Sequence, residues 1–199
     1  MVDNFDRIRG LLNFRSDDEF YFLQILQRKK DFKETLKVNR SNNNSRLVKA
    51  YYVSSLEYFD FIKPEVVQLS EVFGARASIN LNKRSYQEMA LRVIEHTAKL
   101  MANHAYEKVR KVYDTVAGKY YKGKDKVWLL DVDEVGRNYN SMVLYAEKHC
   151  KPDGPKFIGV IPSKNGYHIL MKPFDTSVFC DKYPDVEIHK NNPTNLYIP

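Results

Sequence analysis

Cysteine is the scarcest resource in this sequence. Cys150 and Cys180 are the only two in 199 residues, too few for a disulfide scaffold, a zinc finger or a cysteine-bound iron–sulfur cluster. Chemistry here has to use other ligands. No run of about 18 apolar residues occurs, so no membrane-spanning helix and no membrane partner is expected. The N-terminus, MVDNFDRIRG, lacks the apolar stretch of a signal peptide, so a cytoplasmic location is expected. Long-period repeats are also missing. What remains is 43% hydrophobic and 13% aromatic, enough to bury a core and to exclude disorder over most of the length.

Lys and Arg total 32 against 25 Asp and Glu, a net charge of +7 that favours a polyanionic partner without naming one. Between Lys99 and Lys126 lie eight basic residues (Lys99, Lys108, Arg110, Lys111, Lys119, Lys122, Lys124, Lys126) and three acidic ones, so this segment supplies +5 of the total. A second knot is Arg28-Lys29-Lys30. Either run alone reads as a solvated helix face or a loop. The excess gains meaning only beside a site.

The chain divides into residues 1–84, a linking segment 85–126, and residues 127–199, together one compact module. The first part begins with a short helix, followed by the apolar and aromatic run Glu19–Leu26, which suits a buried strand. A polar loop, Asn39 to Ser45, precedes a strand at Leu47–Val53. Pro64 is expected to open a short helix, and Ala75 to Leu81 alternates like a strand. From Ser85 the period changes. Ser85-Tyr86-Gln87-Glu88 is a capping box, and Met89, Val93, Ile94, Thr97, Met101, Ala105, Val109, Val112 and Val116 follow at three- and four-residue steps. The spacing predicts one long amphipathic helix ending at Gly118, with this stripe in the core.

Residues 127–199 read as strand (Val127–Asp133), helix (Ser141–Cys150), strand (Phe157–Ile161), a tight turn at Ser163-Lys164-Asn165-Gly166, strand (Tyr167–Lys172), a helix capped by Asp175, and strand (Asp185–His189). The fold class is therefore α+β: a β-α-β-β-α-β sheet of the ferredoxin-like, RNA-recognition kind, preceded by an N-terminal α/β unit and a long helix. In such a sheet the first and third strands pair antiparallel at the centre, and the fourth flanks the first.

This order gives the polar residues a meaning. Asp131 and Asp133 leave one face of the first strand, while Trp128, Leu130 and Val132 leave the other, toward the helices. His168 begins the third strand, and Asp185 and Glu187 begin the fourth, so all collect at one end of the sheet. Carboxylates from neighbouring strands supply the hard oxygen ligands that Mg²⁺ or Mn²⁺ takes, leaving positions open for phosphates and water. His168 and Lys164 could bind a phosphate tail by hydrogen bonding and charge.

Leu129-Leu130-Asp131-Val132-Asp133 resembles the first motif of the archaeo-eukaryotic primase superfamily, two apolar residues followed by D-x-D or D-x-E. Ser163-Lys164-Asn165-Gly166-Tyr167-His168-Ile169 resembles the second, a small hydroxyl residue and glycine leading to a strand histidine. Asp185-Val186-Glu187-Ile188-His189, followed by Leu196-Tyr197-Ile198-Pro199, is similar to the third. The resemblance covers residues 127–199. It implies a primase–polymerase-like nucleotidyltransferase that uses Mg²⁺ or Mn²⁺ to join nucleoside triphosphates on a single-stranded or template nucleic acid. By the same resemblance Asp131, Asp133 and Asp185 are metal ligands and the catalytic acids, with Glu187 the alternative third acid; Ser163 and His168 contact the nucleotide. Lys190, in Lys190-Asn191-Asn192-Pro193, stands where the family often has basic residues and becomes a phosphate or template contact. With no cysteine-rich zinc segment and no helicase motif following, a catalytic module alone is implied, needing a helicase or another replication protein for processive work.

Three other readings compete. Lys151-Pro152-Asp153-Gly154 matches K-x-D-G, the nucleophile motif of DNA and RNA ligases, although Pro-Asp-Gly is itself a turn signal. A non-enzymatic sheet could bind single strands by aromatic stacking on its open face; acids at the sheet centre would then repel phosphate unless metals neutralise them. A metal-dependent phosphatase or nuclease shares the carboxylates but leaves the Ser-to-His turn without a role.

Overall fold

The computed structural model describes residues 1–28, 45–121, 125–134 and 136–199. Lys29, Lys30 and the loop expected from Asn39 lie outside the described residues, as do Lys122 and Lys124 of the basic run.

The N-terminal unit is built on a five-stranded antiparallel sheet. It contains β1 (Val2–Asp3), β2 (Glu19–Arg28), β3 (Ser45–Val53), β4 (Arg76–Ser85) and β9 (Thr194–Ile198), in the order β1-β9-β4-β2-β3. Period two sorts its residues. Leu23, Ile25, Ala77 and Ile79 face one side, where they meet Phe5 and Ile8 of α1 (Phe5–Arg9) and Phe59, Ile62 and Val66 of α2 (Leu56–Phe73). Phe20 and Phe22 face the other side, against Met89, Val112 and Val116.

Two helical expectations are corrected. Pro64 does not open a helix; it lies inside α2, which starts eight residues earlier where the Ser55 hydroxyl accepts from the Tyr58 amide at 3.0 Å. The cap and the buried stripe Phe59, Ile62, Val66, Ser70 outweigh the one amide that proline removes. The long helix from Ser85 is also broken. The capping bond forms as expected, with Ser85 Oγ accepting from the Glu88 amide at 3.1 Å, but α3 (Tyr86–Ala102) stops at Asn103. His104 then adopts the left-handed conformation (φ 55°) and the Ala105 amide donates to the Leu100 carbonyl at 2.9 Å. This is how helices end when a left-handed residue follows the last turn. A 3-10 helix (Tyr106–Lys111) and α4 (Val112–Lys119) return against α3. Only the two ends of the predicted stripe are therefore buried: Met89, Val112 and Val116 enter the core, whereas Ile94 and Met101 are exposed.

The second sheet comprises β5 (Trp128–Val132), β6 (Phe157–Pro162), β7 (Tyr167–Met171) and β8 (Glu187–His189), with α5 (Tyr139–His149) after β5 and α6 (Ser177–Lys182) after β7. Its order is β6-β7-β5-β8, every pairing antiparallel. The first and third strands pair at the centre and the fourth flanks the first, the arrangement expected of the β-α-β-β-α-β order. Leu130, Val132, Ile169 and Met171 pack against Met142 and Ala146 of α5 and Phe179 of α6. The opposite face is covered as well. Leu129, Ile161 and Leu170 enter the N-terminal core beside Ile79 and Leu196. The two sheets therefore share one apolar interior. Residues 127–199 are not self-contained, since β9 leaves the second sheet to pair with β4 and β1. None of the described helices is long and apolar enough to cross a membrane.

Candidate functional site

Where the shared core ends, the second sheet presents a polar row. Antiparallel register sets Asp131 directly opposite His168 on one side and Glu187 on the other, with Ile161 beyond His168. Directly paired residues project to the same face. The next row inward is Leu170, Leu129 and His189, of which the two leucines are buried. The row of Asp131, His168 and Glu187 thus borders an apolar layer on one side and solvent on the other.

His168 is the fixed point. Its Nδ1 lies 2.8 Å from Thr194 Oγ1, its Nε2 lies 3.5 Å from Asp131 Oδ1, and Asn195 Nδ2 approaches Nε2 at 3.5 Å. Thr194 and Asn195 belong to β9, so the N-terminal sheet holds the ring of a residue in the other sheet. Asn4 adds a second tie across the junction, its side-chain amide donating to Pro162 O at 2.9 Å and Asn195 O at 3.0 Å. Burial pushes the His168 pKa below its usual value against the opposing pull of the Asp131 carboxylate, which favours a neutral ring.

The turn of the second motif closes on the end of β5. The Ser163 amide donates to Gly166 O at 2.9 Å. A β-carbon on Gly166 would fall 1.9 Å from the Val132 carbonyl oxygen and 3.0 Å from the Glu134 amide nitrogen. Only glycine permits this backbone approach. Ser163 is half-buried and Lys164 is exposed at the tip, so a lysine stands beside the strand end that carries Asp131.

The expected acids do not all converge. Asp133 lies beyond the last residue of β5 and is exposed. Asp185 precedes β8, where the Arg137 guanidinium takes its carboxylate and holds its pKa below the ordinary range. Glu187, not Asp185, stands in register with Asp131, although its carboxylate is 3.3 Å from His189 Nε2. Among the described residues, no group of three or more His, Cys, Asp or Glu side chains is placed to hold a metal ion. Lys190 follows β8 with its ammonium 4.8 Å over the Trp128 ring.

Sequence reasoning missed Thr194 and Asn195, and it missed the inner polar face of β4. Asn80, Asn82 and Arg84 alternate with Ile79 and Leu81, a pattern that reads as a strand with one wet face; here that face is buried. The Asn82 side-chain amide donates to Val127 O at 3.0 Å and Lys190 O at 3.3 Å, and its oxygen accepts from the Val127 amide at 2.8 Å. Asn80 donates to Asn191 O at 2.7 Å. These two side chains fasten the entry of β5 and the exit of β8, the strands that carry Asp131 and Glu187.

The ligase-like lysine stands apart. Lys151 is exposed and bonded to Asp153 at 2.7 Å on a turn that continues into Gly154 at φ 106°. Comparison with protein-family models, with curated proteins and with solved structures finds no match.

Proposed function

We propose that this chain is a primase–polymerase-like nucleotidyltransferase, joining nucleoside triphosphates on a nucleic-acid template with the aid of Mg²⁺ or Mn²⁺. The observation that carries the reading is the cross-strand row of His168, Asp131 and Glu187, closed at one end by the Ser163–Gly166 turn.

The donor set fits a hard cation held in an open site. Mg²⁺ characteristically takes one or two carboxylates and completes its shell with water and substrate phosphates, so a closed cage of protein ligands is not required. Asp131 with Glu187 would hold the ion, and exposed Asp133 is near enough in sequence to contribute. When bound, the ion neutralises phosphate charge and lowers the pKa of an attacking hydroxyl.

The chain's own residues then have separable tasks. The hydrogen bond between Thr194 Oγ1 and Nδ1 of His168 holds the ring with Nε2 facing Asp131 and the solvent edge. The ring edge so placed would meet a phosphate oxygen. Lys164 brings a positive charge to the same tail, and the Ser163 hydroxyl offers a further hydrogen bond. The in-line displacement moves the α-phosphate from pyrophosphate to a 3′-hydroxyl, so positioning and charge supply most of the catalysis. Passive stacking of single strands on this sheet has less support, because the face that would stack bases is covered by Leu129 and Leu170 in the shared core.

The test is Mn²⁺-dependent incorporation of labelled nucleotide into an oligonucleotide by the parent and by Asp131→Asn. Product from the parent and none from a variant of unchanged thermal stability is expected. Equal product from both, or none from the parent, overturns the reading.

A further inference from the structure

Arg84 carries a charge with no anion to match it. Its side chain is 2% exposed, one of the most deeply buried in the protein. Nε donates to Ala117 O at 2.7 Å, in the last turn of α4, and Nη1 donates to Asn82 O. The second terminal nitrogen, Nη2, has no hydrogen-bond partner. Among the described residues no carboxylate pairs with it. Burial draws the guanidinium pKa down to about 10, so it remains charged at neutral pH. A buried guanidinium with an orphan donor is destabilising unless something compensates it, and the α4 carbonyl end does so only in part.

Arg84 also lines a small, solvent-open cleft. Arg92, Tyr120, Tyr121, Met89 and Glu88 form the rest of its wall. The Arg92 guanidinium lies 5.3 Å over the Tyr120 ring. Contacts continue from there toward the site. Tyr121 carries the Lys126 ammonium 5.6 Å above its ring and donates from its hydroxyl to Lys190 O at 3.5 Å, and Lys190 in turn covers Trp128. Three successive pairs of a ring and a cation thus run from the cleft to the strand that carries Asp131. Rings interleaved with cations are how proteins track a single strand without reading its sequence.

We infer that the Arg84 cleft is a phosphate-binding site, taking a backbone phosphate of single-stranded nucleic acid whose next nucleotides follow Tyr121 to Trp128 at the start of β5. The Arg92 guanidinium is the donor that solvent reaches, and the buried Arg84 guanidinium adds its unmatched positive charge behind it. The phosphate displaces Glu88 and Glu95, which lie 3.9 and 3.1 Å from Arg92 in the free protein. The inference deepens the nucleotidyltransferase reading by locating the strand, yet it stands on different residues.

Binding of a labelled single-stranded oligothymidylate to the full chain, without metal or triphosphate, tests it across a series of salt concentrations. Arg92→Gln should weaken binding and flatten the slope of log affinity against log salt by about 0.7, the loss of one phosphate contact. Glu88→Gln should tighten binding, since it removes a competing anion. Arg84→Met should weaken binding without loss of stability in urea, because it removes an unmatched buried charge. Metal and triphosphate are absent from this measurement, so strand binding and nucleotide incorporation are separate readouts, and failure here and failure of the catalytic reading are distinguishable. A parallel titration with a nucleoside triphosphate separates the phosphate sources. If Arg92→Gln lowers triphosphate affinity and leaves the strand slope alone, the phosphate site stands and the strand assignment falls. Parental affinity and slope in both Arg92→Gln and Glu88→Gln, or no binding of either ligand by the parent, overturn the inference; both variants change only partly buried side chains and do not depend on Arg84 for folding.

Discussion

Thr194 and His168 belong to different sheets, and their side chains meet at 2.8 Å. The ring that faces Asp131 is oriented by a hydroxyl from the N-terminal unit. Thr194→Val keeps the shape and removes that hydroxyl, leaving a buried ring nitrogen unsatisfied. The expected cost is about 1–3 kcal/mol of stability, read from urea unfolding, together with weaker triphosphate binding. Thr194→Ser, which retains the hydroxyl, should recover most of the binding. Equal triphosphate affinity in the parent and Thr194→Val would separate the ring's orientation from nucleotide binding.

Gly166 admits no side chain. Its missing β-carbon would lie 1.9 Å from the Val132 carbonyl oxygen, so Gly166→Ala has to push the Ser163–Gly166 turn away from the end of β5. Overpacking of this kind costs about 1–3 kcal/mol. A lowered thermal midpoint and loss of nucleotide incorporation are expected, whereas Asn165→Ala, one residue away and exposed, should be neutral for stability.

The third acid can be identified directly. Glu187→Gln changes the carboxylate in register with Asp131, and Asp185→Asn changes the one engaged by Arg137. Mn²⁺ binding in the presence of a nucleoside triphosphate, followed by the electron paramagnetic resonance signal of the free ion, should weaken in Glu187→Gln and be unchanged in Asp185→Asn. The reverse result would return the third position to Asp185.

His104 holds a left-handed conformation at the break between α3 and the 3-10 helix. Non-glycine residues pay about 1 kcal/mol or more for that conformation. His104→Gly should therefore stabilise the protein modestly in urea unfolding, while losing the bond of 2.7 Å to the Tyr106 hydroxyl. A stabilising glycine is not expected if the segment were one continuous helix, where glycine is unfavourable.

This last case shows why part of the fold was illegible in the sequence. Met89 through Val116 keeps a helical period across the break, because period reports which residues could share a face and not whether the backbone reverses between them. The Asp131 and His168 motifs were legible for the opposite reason. Strand alternation fixes a face from spacing alone, and the β-α-β-β-α-β order fixes which strands are neighbours. Glu187 and Asp185 could not be separated, since both satisfy the same period; the deciding contact, Arg137, comes from a loop. Thr194 and Asn195 were hidden by long-range pairing. The motif reading took Leu196–Pro199 only as a stretch following the third motif, and the chain carries 194–198 to β4 as a strand. Asn82 and Arg84 were hidden because an alternating polar face looks the same whether water or protein covers it.

The pairing of Val2 with Ile198 has a kinetic consequence. β9 fills the gap between β1 and β4, and the residue that orients His168 lies on it. Contacts that span nearly the whole described chain form late, since loop-closure entropy must be met before they return any energy. During refolding, apolar collapse of each sheet onto its helices should run ahead, and the polar row should gain its geometry only when β9 docks. Binding competence is then the last property the molecule acquires as it folds.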